Sequence, residues 1–243
     1  MLRNLIKRLR IRLMRDYGLP ASYVDGIPLY AQGREDIYLL RLFGRNYKGF
    51  YVDVGANDGV FVSNTYSLYR RGWRGICLEP NPEVFHRLKA VRPEDICLNL
   101  AAGAEDGALT LAWREGLSEG STLQAVDMVG RSSLSVEVKP LTRILSEQLA
   151  PSSFDVLSID VEGFEVNVMK GLDWAAFSPR VIVMEYNNGG RANPAAVEMV
   201  GTLGYRPIAI NRWNMIFSRT WDQDIMKIHT GQDWFQFDRS VVP

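Results

Sequence analysis

Leu2, Leu5, Ile6, Leu9 and Leu13 fall on one helical stripe, and Arg3, Lys7, Arg8, Arg10, Arg12 and Arg15 fill the positions between them. This spacing predicts a basic amphipathic helix over residues 1–15. A loop rich in Gly and Pro follows over 17–33, and then EDIYLLRLF at 35–43 reads as a helix. From residue 50 the pattern becomes regular. Strand-length apolar runs at 50–54, 75–79, 96–101, 154–159 and 180–185 are separated by helix-like stretches at 63–71, 82–91, 166–172 and 193–203. Pro82 stands in the first turn of its helix, where proline is tolerated. The last two apolar runs, 205–210 and 215–218, flank a turn at 211–214 and read as a hairpin. Strands alternating with helices predict an α/β, Rossmann-like fold: a mostly parallel sheet covered by helices on both faces and made mixed by the final hairpin. Residues 102–153 break the alternation and read as an insertion at the acceptor side of a cleft. The expected division is a basic helix and loop over 1–31, a catalytic domain over 32–218, and a tail over 219–243 packed on that domain.

Composition narrows the function classes. The chain has 243 residues, 47% hydrophobic and 23% charged, which suits one α/β domain with a substantial core. Lys and Arg together number 28, as do Asp and Glu, so the net charge is zero. That balance argues against a nucleic-acid partner held by bulk charge. No apolar run approaches the roughly 20 residues that span a bilayer. Basic residues interrupt every apolar stretch near the N-terminus, so no secretory signal is expected and the location reads as cytoplasmic. Residues 1–15 leave two readings open: peripheral contact with an anionic membrane surface, or packing on the domain itself or on an oligomeric partner. Cys77 and Cys97 lie in short apolar runs, ICLEP and ICLNL, and read as buried strand thiols.

The candidate chemistry gathers at strand ends. Asp53-Val-Gly55-Ala56-Asn57-Asp-Gly59 follows the first strand and precedes a helix. Its glycines allow a tight turn and close approach of a ligand, Asp53 can hold an ammonium group, and the next helix N-terminus favours a carboxylate. Glu79 ends the second strand, where an acid can accept both hydroxyls of a ribose; Pro80 and Asn81 follow it. Asn99 to Ala102 bring small residues that leave room for an adenine. Asp160 and Glu162, in Ser158-Ile-Asp160-Val-Glu162-Gly163-Phe-Glu165, lie at the end of a central strand, and Glu185 ends its neighbour. These acids can orient a hydroxyl, accept its proton, or hold a divalent cation. Glu162 and Glu165 can equally serve the following helix N-terminus. His86 and His229 read as surface residues, and Trp221, Trp234, Phe235 and Phe237 of the tail as packing groups.

Taken together, Gln32-Gly-Arg-Glu35-Asp36, the loop from Phe50 to Gly59, Ser63-Asn64-Thr65, Gly72-Trp73-Arg74-Gly75, Glu79-Pro80-Asn81 and Ile159-Asp160-Val-Glu162-Gly163 resemble the FkbM-type methyltransferases. The likeness covers about residues 32–218 and leaves the basic helix and the tail outside. It implies a class I methyltransferase fold, with a seven-stranded sheet that ends in an antiparallel hairpin. It also implies S-adenosyl-L-methionine as methyl donor and O-methylation of a hydroxyl on a sugar, glycolipid or natural product. Carried over residue by residue, Asp53, Gly55, Ala56, Asn57, Gly59, Asn64, Glu79, Asn81 and Ala101 would line the donor pocket. Asp160 and Glu162 would face the reacting methyl, with Asp160 orienting or deprotonating the acceptor. A carboxylate of ordinary pKa is a weak base for a sugar hydroxyl, so a raised pKa or a divalent metal is expected beside it. Two other classes stay open: an NAD-dependent oxidoreductase, which the glycine spacing disfavours, and a binding module that keeps the donor site without turnover.

Overall fold

A computed structural model describes residues 19–20, 22–24, 26–113, 132–188, 191–220 and 235–236. The basic segment 1–15, the polar stretch 114–131, His229 and most of the tail lie outside the described residues. Ser22–Val24 (β1) and Ile27–Leu29 (β2) form a small antiparallel hairpin inside the segment read as loop. Helix α1, Glu35–Phe43, follows with the limits that its apolar spacing predicts.

The main sheet is built from Phe50–Val54 (β3), Arg74–Leu78 (β4), Ile96–Leu98 (β5), Ser153–Ile159 (β9), Ser178–Glu185 (β10), Arg206–Ile210 (β13) and Asn214–Ser218 (β14). Its order is β5-β4-β3-β9-β10-β14-β13, and Phe235–Gln236 (β15) adds a short eighth strand beyond β13, while Asn187–Asn188 (β11) and Arg191–Ala192 (β12) pair as a separate antiparallel hairpin. The five strands from β5 to β10 run parallel, whereas β14 is antiparallel to both β10 and β13. This is the class I methyltransferase sheet, with the expected terminal hairpin. The order reverses at β3/β9. In such sheets ligands bind outside the carboxyl ends of the strands on either side of that reversal.

Strand alternation divides the core in two. Val52, Val54, Ile76, Leu78, Leu157, Ile159, Ile182 and Met184 face helices α4 (Leu141–Glu147), α5 (Glu165–Lys170) and α6 (Pro194–Thr202). Tyr51, Cys77, Val156, Val181 and Val183 face α1, the four-residue α2 (Tyr66–Tyr69) and α3 (Pro82–Val91). Burial on both faces explains why these strands read as continuous apolar runs. Each fully buried Leu, Ile or Val contributes about 1.5–3 kcal/mol of transfer free energy, so the two cores fix the strand ends that carry the polar residues.

Two elements differ from the sequence reading. The strand expected over 96–101 is two strands in different sheets: β5 joins β4, and Ala101–Gly103 (β6) pairs with Ser132–Pro140 (β8). Asn99 lies at the break, and its Nδ2 donates to the carbonyls of Glu79 (2.8 Å) and Pro80 (3.0 Å). The segment read as an insertion contains ordered strands, since Gly107–Trp113 (β7), β8 and β6 form their own three-stranded sheet. Strand β8 leads into α4, whose Thr142 donates from N and Oγ1 to the Gly171 carbonyl just after α5, both at 2.9 Å.

Candidate functional site

The loop after β3 is ordered by its own hydrogen bonds and by bonds to β4, Glu79 and Arg92. Gly55 and Ala56 donate their N–H groups to the Leu78 carbonyl, at 3.0 and 2.9 Å. Gly55 has φ +86°, and a Cβ there would fall 1.9 Å from the Asp160 carbonyl oxygen. The glycine therefore lets the β3 turn touch the β9 end. Asn57 (φ +51°), Gly59 (φ +81°) and Val62 (φ +50°) also lie in the left-handed region. That conformation is uncommon for a β-branched residue such as Val62, and strain of this kind gathers at functional turns. Asp58 Oδ1 accepts from the N–H groups of Val60 (3.0 Å) and Phe61 (2.8 Å).

The expectation of a helix from residue 63 with free N–H groups does not hold. Ser63 Oγ accepts from the backbone N–H groups of Thr65 (3.2 Å) and Tyr66 (3.1 Å), and the helix runs only from Tyr66 to Tyr69. Ser, Asn and Thr side chains compete for backbone groups and delay helix entry. The first amides of α2 are consequently capped by the protein itself.

Glu79 follows β4 directly and is 7% exposed. Its Oε2 accepts from Asn57 N (3.0 Å) and its Oε1 from Asn81 N (2.8 Å). Each oxygen keeps lone-pair capacity for a further donor. Burial pushes its pKa up to about 7, against the lowering by those two backbone bonds. Asn81 is buried and caps α3, its Oδ1 accepting from Glu83 N (3.1 Å).

Arg92, just beyond α3, is fully buried and was not singled out by the sequence reading. Its Nε and Nη2 donate to the Gly59 carbonyl (2.9 and 2.7 Å), Nη2 to Ser63 Oγ (2.6 Å) and Nη1 to Thr65 Oγ1 (2.7 Å). The guanidinium lies 3.8 Å from Asp53 Oδ2 and 3.7 Å from Asp95 Oδ2, and beside the rings of Tyr51, Tyr66 and Tyr69. Thr65 Oγ1 in turn donates to Asp53 Oδ2 (2.5 Å). Burial raises the Asp53 pKa, opposed by Arg92, Thr65 and Ser158. Asp53 thus already has a cation beside it. Asn64 is buried and donates from Nδ2 to Ser158 Oγ (3.2 Å). Ala101 is buried in the small core of Leu111, Val136 and Val138.

At the ends of β9 and β10, acids crowd together. Burial raises the Asp160 pKa well above the carboxylate range, and Glu162, Glu165, Asp53 and Glu35 add to the shift. Glu185 is pushed up to about 10 by burial and by Asp160, Glu162 and Glu165. Its Oε2 is buried without a hydrogen-bond partner. Two of the acids have structural tasks. Glu165 accepts from Gly163 N (2.8 Å) and Asn193 Nδ2 (2.9 Å). Glu35 accepts from Gly33 N (2.8 Å) and from the amides of Asn211 (2.6 Å) and Asn214 (2.7 Å) in the hairpin turn. Glu162 is held at φ +53°. Among the described residues, no group of three or more His, Cys, Asp or Glu side chains is arranged to hold a metal ion. His86 is exposed on α3.

The methyltransferase FkbM domain matches residues 53–207. The chain belongs to the FkbM methyltransferase family. The FkbM match begins at Asp53 and takes in the loop, Glu79, Arg92, Asp160 and Glu185. A curated relative, "Methyltransferase 1" of Beauveria bassiana (strain ARSEF 2860), is 27% identical over 150 residues, 51% of this chain and 58% of the relative. The alignment therefore spans less than two thirds of that relative's length. Among solved structures, methyltransferase FkbM from Methylobacillus flagellatus KT is similar at 14% identity and TM-score 0.48, over 70% of this chain and 43% of that one. An O-methyltransferase from Bacillus cereus in complex with SAH is similar at 11% identity and TM-score 0.47, over 87% and 89%.

Proposed function

We propose that this FkbM domain transfers a methyl group from S-adenosyl-L-methionine to a hydroxyl of a small-molecule or glycan acceptor. The observation that carries the reading is Glu79: a buried carboxylate at a strand end beside the order reversal, each oxygen anchored by one backbone N–H and open to another donor. That geometry suits the two hydroxyls of a ribose. The turn at Gly55, where a Cβ would strike the Asp160 backbone, supports a cradle against β9. The acid cluster around Asp160 has a deficit of positive charge that a sulfonium would relieve.

When bound, the donor supplies an electrophilic methyl group, so the protein's task is positioning and proton removal. Glu79 accepts the ribose hydroxyls, with Asn57 and Asn81 fixing its carboxylate through their backbone amides. Gly55, Ala56, Asn57, Gly59 and Asn64 shape the wall beside it, and Arg92 and Asp53 hold that wall from behind. Ala101 supports the floor near the adenine end through its packing. Asp160 accepts the proton of the acceptor hydroxyl as its oxygen attacks in line. Desolvation and the neighbouring acids raise its pKa, the direction that makes a carboxylate a stronger base. Glu162 stands next to it and orients the hydroxyl. The β6-β8-β7 sheet, which spans residues 101–140, borders the acceptor side. The basic stripe of residues 1–15 supports peripheral contact with an anionic membrane, which vesicle sedimentation with and without that segment tests.

The test is a methyl-transfer assay with labelled donor and a panel of sugar and glycolipid hydroxyls, run on the wild type and Asp160→Asn. Transfer to one acceptor class, lost in the variant while donor binding persists, is the expected result. Turnover unchanged in the variant removes Asp160 from the mechanism.

A further inference from the structure

Cys77 and Cys97 are register partners on adjacent parallel strands, β4 and β5. Neighbouring strands lie about 4.8 Å apart, and disulfides form between Cα atoms about 4.4–6.8 Å apart. The two side chains share a face of the sheet, Cys77 within the core on that face and Cys97 packed against it. Cys97 is half-buried on β5, which ends the order of strands in the main sheet, whereas Cys77 is fully buried. Both sulfurs also touch Arg92. Its Nη1 donates to Cys77 Sγ (3.5 Å), and its backbone carbonyl accepts from Cys97 Sγ (3.7 Å). Arg92 is the residue that ties Gly59, Ser63 and Thr65 into the loop after β3.

We propose that Cys77 and Cys97 form a redox-modifiable pair whose oxidation to a disulfide by a peroxide disturbs Arg92 and loosens the 57–66 loop. The Cys97 sulfur attacks the peroxide O–O bond, forms a sulfenic acid and releases water. The Cys77 sulfur then attacks the Cys97 sulfur and a second water leaves. In sum, two thiols and one peroxide give one disulfide and two waters. The neighbouring Cys77 lowers the Cys97 pKa, and Cys97 is the less buried of the two, which favours Cys97 as the attacking thiolate. Cys77 Sγ also lies 3.7 Å from Asp95 Oδ2, an acceptor for the resolving thiol's proton. A covalent S–S bond of about 2.05 Å brings the sulfurs closer than any non-bonded contact does. It therefore draws Cys77 Sγ from Arg92 Nη1 and removes the thiol that donates to the Arg92 carbonyl.

For the methyl donor, the consequence rests on the proposed donor site: oxidation lowers affinity several-fold. The experiment treats the full chain with hydrogen peroxide, followed by thiol counting, intact mass, and hydrogen exchange of peptides covering 57–66. The expected result is loss of both thiols with loss of two hydrogens in mass, and faster exchange in the 57–66 peptides, all reversed by a dithiol reductant. Cys97→Ser puts a hydroxyl in place of the thiol and should show neither the mass change nor the peroxide-dependent exchange. Thiols that survive peroxide, or a disulfide that leaves 57–66 exchange unchanged, overturn the proposal. Donor calorimetry is read separately: a reduced protein that binds no S-adenosyl-L-methionine defeats the methyltransferase reading, while thiol count and exchange still decide the redox pair.

Discussion

Arg92 Nη1 lies 3.8 Å from Asp53 Oδ2, with the Thr65 hydroxyl between them, accepting from the guanidinium at 2.7 Å and donating to the carboxylate at 2.5 Å. A cation with no exposure is thus the hub of the loop after β3. Removing one partner of a buried charge pair costs about 3–5 kcal/mol, because the remaining charges lose their counter-ion. Arg92→Met should lower stability by an amount of that order and weaken donor binding. A urea midpoint equal to the wild type would contradict the role given to Arg92.

Glu79 links donor binding to pH. Its folded-state pKa of about 7 lies above the ordinary 4.5. The folded protein therefore holds a proton that the unfolded chain releases between these values. Stability from this group is complete below about pH 4.5 and is lost as pH rises to about 7. The ionised form is the better acceptor for ribose hydroxyls, so donor affinity should rise with pH through about 7. Glu79→Gln should bind weakly without that rise. A wild-type affinity that is flat over the same range would count against Glu79 as the ribose acceptor.

Gly55 leaves no room for a side chain, since a Cβ would sit 1.9 Å from the Asp160 carbonyl and φ is +86°. Where φ is positive, Gly→Ala costs more than about 1 kcal/mol. Gly55→Ala should cost at least that much and separate the β3 loop from the β9 end. Thermal melting and donor calorimetry on the variant check both effects, and a variant with both unchanged would remove the close contact.

Glu185 and Asp160, both half-buried, are raised because their carboxyl groups are desolvated and face other acids. Groups raised in the fold stabilise below their unfolded pKa and lose that contribution as pH rises, toward about 10 for Glu185. Glu185→Gln should therefore leave stability near pH 4 unchanged and raise it at pH 8, by about 1 kcal/mol or more. Melting curves at the two pH values decide it, and a variant less stable at pH 8 contradicts the raised pKa of Glu185. The same cluster should release protons when the sulfonium of S-adenosyl-L-methionine arrives, and fewer with the uncharged S-adenosylhomocysteine. Calorimetry in buffers of different ionisation enthalpy reads the difference.

Much of this was legible in the sequence. The limits of α1, β3 and α3 follow from apolar spacing, and Pro82 and Asn81 mark the start of α3 as helix-capping chemistry predicts. Glu79 and Asp160 stand at strand ends because short apolar runs end there. Arg92 was not legible. It precedes Pro93 in a charged stretch that reads as solvated, and its burial depends on acceptors from Gly59, Ser63 and Thr65, far away in sequence. The short α2 was over-read for a related reason, since Ser63 takes the amides that would have extended it. The break after β5 depends on one Asn99 amide reaching back to Glu79 and Pro80, a contact no periodicity encodes.

The most direct test of the methyltransferase account is isothermal calorimetry of S-adenosyl-L-methionine and, separately, NAD with the wild type and Glu79→Ala. The account predicts micromolar S-adenosyl-L-methionine binding to the wild type, strong weakening in Glu79→Ala, and no NAD binding. Absence of S-adenosyl-L-methionine binding, or NAD binding in its place, would contradict it.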